Sequence, residues 1–191
     1  LEDIKFGIVG ATEHDQIDKE KLTKSEKAWA SAPVQCINYA SCHDNLTLWD
    51  KIATSKPKAS KEDRIRMNKL SAAMVLTSQG IPFFQAGEEI LRTKPSASGD
   101  NTFDSNSYAS SDVTNSIKWD SKTENEDVYE YYKGLIAFRK AHGALRMTTT
   151  EEVQENLTFL DGLKGNAVGY TISNQPNEES AETLLVVHNG N

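Results

Sequence analysis

Val34-Gln35-Cys36-Ile37-Asn38-Tyr39-Ala40-Ser41-Cys42 follows Pro33, runs into His43-Asp44-Asn45, and consists mostly of small or β-forming residues. A short run of this kind bounded by turn residues predicts a buried strand. Downstream, Ser60-Lys61-Glu62-Asp63 has the Ser-x-x-acid form of a capping box. Ile65, Leu70, Ala73, Met74 and Thr77 then share one helical face, and Gly80 is placed to end the helix. Ile81-Pro82-Phe83-Phe84-Gln85 predicts a second short buried strand, with proline near its start, where a missing N–H is tolerated. Strand, helix, strand in that order is one βαβ unit of a parallel sheet, so the fold class is α/β.

On the amino-terminal side, Phe6-Gly7-Ile8-Val9 is a short apolar run, and the charged stretch from Glu13 to Lys27 predicts a surface helix or an ordered loop. On the other side, residues 93–118 are rich in Ser, Asn, Asp and Thr and show neither period. A loop of that length is usually functional or disordered. Thr123-Glu124-Asn125-Glu126 has the form of a second capping box, opening a helix with Val128, Tyr132, Leu135, Ile136 and Phe138 on its apolar face and Gly143 at its end. After Thr150 come β-rich runs at 157–163, 167–172 and 183–188, separated by Gly165-Asn166 and Asn174-Gln175-Pro176-Asn177. They predict the beginning of an antiparallel β-sandwich domain. The expected division is therefore 1–148 and 149–191. One βαβ unit cannot bury both faces of its sheet, so this chain is expected to be part of a larger α/β-plus-β protein.

The 191 residues carry 21 Lys and Arg against 28 Asp and Glu, a net charge of −7. That balance argues against nucleic acid or an anionic membrane as partner, since both reward clustered cations. No stretch reaches the ~18 apolar residues of a membrane span. Cys36 and Cys42 would lie roughly 20 Å apart on one strand at ~3.3 Å per residue, beyond the ~7 Å a disulfide allows. His14, His142 and His188 are scattered and suggest no zinc site. Asp100, Asp104 and Asp112 are possible oxygen donors to Ca²⁺, but their spacing matches no fixed calcium loop, so neither a metal nor another cofactor is expected.

The sharpest chemical feature is His43-Asp44 at the carboxyl end of the first strand, where α/β folds meet their ligands. Taken alone, a His-Asp pair after a strand more often means that Asp44 caps the helix or turn starting near Leu46 while His43 packs. The extended run His43-Asp44-Asn45-Leu46-Thr47-Leu48-Trp49-Asp50-Lys51 resembles the segment at the seventh barrel strand of the α-amylase superfamily (glycoside hydrolase family 13), and in this long form the type I pullulanases. Residues 77–89 are similar to the eighth strand and its loop, and 107–115 with Trp119 to the loop that follows in pullulanases. The resemblance covers most of residues 28–143.

The resemblance implies a (β/α)₈ TIM barrel, with 1–148 as its last strands and helices and 149–191 opening the C-terminal β-domain. It implies a debranching enzyme acting on α-1,6-glucosidic bonds of pullulan, amylopectin or glycogen-type α-glucans by a retaining mechanism, with two carboxyls about 5–5.5 Å apart. Those two would come from an amino-terminal part of the same enzyme, preceding Leu1, and this stretch alone is expected to be inactive. Asp44 matches the transition-state-stabilising carboxylate and His43 the imidazole on the same sugar. A hydrogen-bond donor beside a carboxylate favours its ionised form. Asn45 either orients Asp44 or satisfies its turn. Asp112, Asn115 and Tyr108 either contact donor-side sugars or belong to a solvated loop with Asx-turns. Tyr39 and Trp49 are expected as core or wall residues. Glu88 and Glu89 point opposite ways on an extended segment and are not expected to be catalytic. The alternatives are a neopullulanase or isoamylase of the same superfamily, or an inactive α-glucan-binding surface protein. An extracellular or cell-surface location fits an enzyme that meets polymeric glucan.

Overall fold

The expected strand–helix–strand order is present, with shorter strands than the sequence suggests. In the computed structural model, which describes residues 1–99 and 102–191, β1 is Ile37–Asn38 and β2 is Ile81–Pro82. They pair in parallel, Ile37 opposite Ile81 and Asn38 opposite Pro82. The run before β1 is a 3₁₀ turn at Pro33–Gln35, because Pro33 fixes φ at the turn's start. Ile37 and Ile81 are exposed, since each strand has a single neighbour. Gly80 stands one residue before β2 with φ +91°, three residues past the end of the preceding helix. A Cβ there would lie 2.8 Å from the Cys36 carbonyl oxygen, so the close approach of the two strands requires glycine. Cys36 and Cys42 do not share a strand, and both are free thiols.

The helices are α1 (Glu2–Ile8), α2 (Leu48–Ser55), α3 (Lys61–Thr77), α4 (Asp112–Asn115), α5 (Ser121–Glu124), α6 (Glu126–Ala141) and α7 (Thr150–Asn156). Ser60 Oγ accepts from the Asp63 amide at 3.0 Å, as the capping signal requires. The buried side of α3 is Asn68, Ala72, Ala73, Leu76 and Thr77, rotated from the expected face, with the Asn68 Oδ1 accepting from Tyr132 and the Thr77 hydroxyl donating to the Ala73 carbonyl. Thr123 does not cap α6. Residues 121–124 close their own turn, and Asn125 breaks the helix before receiving the amides of Val128 and Tyr129. Glu13 to Lys27 is an ordered loop with one 3₁₀ turn at Lys19–Lys21.

The chain divides into two compact units, Leu1–Asn38 with Ala73–Phe83 and Leu135–Asn191, and Tyr39–Ala72 with Phe84–Gly134. In the first, β3 (Leu157–Phe159), β4 (Ala167–Ser173) and β5 (Thr183–Asn189) form an antiparallel sheet in that order. Its period-2 pattern buries Leu157, Phe159, Val168, Tyr170, Ile172, Leu184 and His188 on one face. These side chains, except His188, join Phe6, Ile8, Val9, Leu145, Met147 and Val153 in the main core. Thr149 and Glu152 form a complete capping box ahead of α7, a helix the sequence reading passes over.

Buried polar groups lock this unit together. Gln79 Nε2 donates to the Ala144 carbonyl at 2.9 Å, and its Oε1 accepts from the Met147 amide at 2.9 Å. Arg139 donates to the carbonyls of Leu76, Ser78 and Gly80 at 3.0, 2.7 and 2.7 Å, capping the carboxyl end of α3. Burial lowers the Arg139 pKa to about 10, which leaves it charged at neutral pH. Thr77 donates its hydroxyl proton to the Ala73 carbonyl, so His188 Nε2, 3.2 Å away, carries the proton of that second contact.

Candidate active site

The second unit holds every residue proposed for the site. Past β1, Ser41 to Asn45 forms an irregular turn, with Asn45 at φ +61°. Thr47 then caps α2, its Oγ1 accepting from the Asp50 amide at 3.2 Å. The capping role open to Asp44 is thus taken by Thr47. Instead Asp44 Oδ2 stands 3.3 Å from His43 Nε2, and the two side chains are 73% and 86% exposed. An acid and an imidazole paired in this way, with no other assigned task, are available to a ligand.

The turn is fixed by buried charges the sequence reading leaves without a role. Asp50 is fully buried, and its carboxylate accepts from Thr93 Oγ1 at 2.5 Å and the Lys94 amide at 2.7 Å. Lys94, also buried, reaches back with Nζ to the His43 carbonyl at 3.4 Å. Arg92 donates to the Ala86 and Asn115 carbonyls at 3.1 and 2.6 Å. A signal for this set is present in the sequence: Asp50 lies inside the resembling run, and Thr93-Lys94, just after Arg92, heads the unperiodic stretch.

That stretch is held in shape by its own side chains. Asp104 accepts from Ser110 Oγ and the Asn106 amide at 2.5 and 2.8 Å, and these bonds, the serine's first, lower its pKa. Asn115 Nδ2 donates to the carbonyls of Ser107 and Ser110 at 2.7 and 2.9 Å. A 3₁₀ turn at Ser107–Ala109 and α4 follow from this bracing. Tyr108 is 88% exposed, and Asp112 is exposed at the start of α4. Asp100 lies outside the described residues. Among the described residues no group of three or more His, Cys, Asp or Glu could hold a metal ion, and no helix is long and apolar enough to cross a membrane.

The structure brings four of the six sequence-derived residues to one pocket. His43, Asp44, Tyr108 and Asn115 line a space of about 320 Å³ together with Gln85, Arg92 and Lys94. A second pocket of about 380 Å³ shares Asp44 and Ser105 and adds Tyr39, Cys42, Asn45 and Lys51. Tyr39 is therefore a wall residue. Asp112, exposed at the start of α4, lines neither pocket. Glu88 and Glu89 head a 3₁₀ turn after Gly87, with Glu88 buried.

An exposed carboxylate–imidazole pair beside two pockets of about 320 and 380 Å³ is an arrangement open to a small ligand. Similarity to known proteins narrows it. Residues 153–191 match the family described as pullulanase, all-beta domain. The pullulanase of Bacillus subtilis (strain 168) is 36% identical over 157 residues, covering 82% of this chain and 21% of that protein. The structure of pullulanase from Bacillus acidopullulyticus superposes with a TM-score of 0.83 at 39% identity, over 98% of this chain and 20% of that one. Pullulanase from Paenibacillus barengoltzii, in complex with maltohexaose and alpha-cyclodextrin, gives 0.85 at 37% identity over 100% of this chain and 27% of that one. In sequence and in fold this chain is a pullulanase relative, an α/β chain with an antiparallel sheet that spans about a fifth to a quarter of the length of those proteins.

Proposed function

We propose that this chain supplies the sugar-holding wall of a pullulanase-like debranching enzyme, a retaining glycoside hydrolase that cleaves α-1,6-glucosidic bonds of pullulan and related branched α-glucans. Residues 1–148 act as the last strands and helices of a (β/α)₈ catalytic barrel, and 149–191 open its C-terminal β-domain. The single observation that carries the reading is the exposed His43–Asp44 pair, 3.3 Å apart and released from capping by Thr47. The relative solved with maltohexaose and alpha-cyclodextrin supports an α-glucan as the ligand.

In this reading Asp44 accepts hydrogen bonds from hydroxyls of the sugar at the cleavage point. Bonds to a 2-OH that tighten as the ring flattens toward the oxocarbenium-like transition state contribute several kcal/mol. His43 donates to the same sugar and orients Asp44. Tyr108 and Asn115 border the neighbouring sugar, and Asn45 shapes the turn. The nucleophile and the general acid lie elsewhere in the enzyme. Chromatography of the products released from pullulan by the full-length protein tests this. Maltotriose is expected. Panose points instead to an α-1,4-acting neopullulanase, and retained binding without product to a glucan-binding surface protein. In the same assay Asp44→Asn lowers kcat by about two orders of magnitude or more, as expected for ~3 kcal/mol of transition-state contact; turnover near the wild-type rate refutes the role of Asp44.

A further inference from the structure

The turn that carries the candidate site holds a feature the proposed reaction does not use. Asn45-Leu46-Thr47 has the Asn-x-Ser/Thr spacing read by the oligosaccharide transferase of secretory lumens. The same spacing recurs once, at Asn156-Leu157-Thr158. The fold treats the two asparagines differently. Asn156 ends α7 half-buried, and its Nδ2 donates to the Glu152 carbonyl at 2.7 Å. Asn45 is exposed and stands at φ +61°, in the left-handed region that asparagine tolerates.

Thr47 decides when the acceptor can be read, because the transferase engages its hydroxyl together with the asparagine amide. In the folded protein Thr47 is 3% exposed, and its Oγ1 accepts the Asp50 amide at 3.2 Å as the cap of α2. The folded turn is hidden from the transferase, whereas a chain emerging unfolded into the lumen presents all three residues. A glycan already on Asn45 is compatible with the later folding of α2, since this side chain lies outside the core. Its place makes the consequence specific. Asn45 lines the pocket of about 380 Å³ with Tyr39, Cys42, Asp44 and Lys51. The first sugar of an N-linked glycan is itself a pyranose, tethered here one residue from Asp44. A tethered sugar competes for the pocket at a high effective concentration, and the sugars beyond it stand in the path of a glucan.

We infer that Asn45 is an acceptor for an N-linked glycan and that the glycan closes the candidate site. In the transfer, Asn45 Nδ2 bonds to the anomeric carbon of a lipid-pyrophosphate-linked oligosaccharide. The bond from that carbon to the pyrophosphate oxygen breaks, the lipid pyrophosphate leaves with the electron pair, and the amide gives up one proton to solvent. The acceptor role stands on the sequence and the turn; closure of the site rests on the reading given above. An enzyme built on this turn keeps its activity only when it is made outside a lumen that holds the transferase.

The test uses the full-length protein carrying Asn156→Gln, made in cultured animal cells behind a secretory signal peptide, with graded tunicamycin to block the transfer. Glycopeptide mass spectrometry of cells and medium together reads occupancy at Asn45, whether or not the protein is released. A glycan on Asn45 is expected, and an Asn45 that stays bare without tunicamycin overturns the proposal. Turnover of pullulan is then compared across the preparations. The loss of kcat is expected to match the fraction of Asn45 occupied, with KM and melting temperature unchanged, as when a share of the sites is closed. Full turnover at high Asn45 occupancy, or a loss that follows glycans elsewhere in the protein instead, overturns closure. If the bare protein releases no oligosaccharide, the debranching reading fails, and the glycopeptide still decides whether Asn45 is an acceptor.

Discussion

Asp50→Ala tests how the site is built. The wild-type carboxylate is fully buried and accepts two hydrogen bonds, from Thr93 Oγ1 at 2.5 Å and from the Lys94 amide at 2.7 Å. Bonds to a charged acceptor contribute about 1.5–3 kcal/mol each, and stranding a buried donor costs about 1–3 kcal/mol. The alanine leaves one hydroxyl and one amide without their Asp50 partner. The expected loss is ~3–5 kcal/mol, the range for breaking a buried charged network on one side. Asp50→Asn keeps one acceptor but turns an amide NH₂ toward a donor, so it falls between the wild type and the alanine, at ~1–3 kcal/mol. Urea denaturation of the full-length protein measures both, with the change read as a midpoint shift at constant slope. Turnover falls in both variants, because the Lys94 ammonium contacts the His43 carbonyl from this loop. A loss below about 1 kcal/mol for Asp50→Ala refutes the claim that Asp50 ties the Thr93–Lys94 segment to α2.

Arg139→Ala strands three carbonyls at the end of α3, and ~3–5 kcal/mol of stability is expected to go with it. Arg139→Lys recovers only part of this in thermal melts, since an ammonium lacks the planar fork that reaches all three. Gly80→Ala forces a Cβ to 2.8 Å from a backbone oxygen at φ +91° and lowers the melting temperature, by ~2 kcal/mol or more in free-energy terms; an unchanged melt contradicts the close strand approach. His14 and His188 are buried, and burial depresses both pKa values. Their stabilising contribution is present above the ordinary histidine value of 6.5 and is lost as pH falls from there through the depressed values. Two protons set a limiting slope of ~2.7 kcal/mol per pH unit. Glu88 acts in the opposite sense, because a raised pKa removes stability as pH rises, so the urea midpoints are taken in a Glu88→Gln background. A midpoint flat from pH 7 to pH 5 contradicts the neutral burial of the histidines.

The antiparallel sheet was the most legible part of the fold, because Leu157, Phe159, Val168, Tyr170 and Ile172 alternate inward with an unmistakable period of 2. The α3 helix was legible from Ser60, whose side chain caps as its spacing suggests. The strands were overestimated. Apolar side chains at 34–42 and 81–85 signal a buried sheet, but only Ile37–Asn38 and Ile81–Pro82 find a ladder partner. α7 was missed because Thr149–Glu152 sits at the onset of a β-rich region and its capping box is four residues long. In the site, His43 and Asp44 are legible as a motif, and their side chains stand 3.3 Å apart. Asp50, Lys94 and Glu88 escape because their partners lie 43–51 residues away along the chain, beyond the reach of local periodicity. Charged side chains read as surface until a structure shows what they are bonded to.

These buried groups bear on why Asp44 is left exposed at all. Burying Asp50, Lys94 and Glu88 costs desolvation that apolar residues of similar volume would avoid, so stability alone does not account for them. Two of them are bonded to the same short segment, Glu88 to Ser41 and Lys94 to the His43 carbonyl, and Asp50, from within α2, is bonded to the loop that carries Lys94. Apolar packing leaves a turn free to slide by a few tenths of an ångström, whereas directional bonds to short acceptors fix its orientation. In the role proposed for Asp44, a carboxylate that meets a sugar hydroxyl only as the ring distorts benefits from that fixity, since misplacement by 1 Å can cost about two orders of magnitude in rate. Substitutions among the three buried groups should therefore reduce turnover more than their effect on stability alone accounts for. In a segment with only a structural role, the two would fall together.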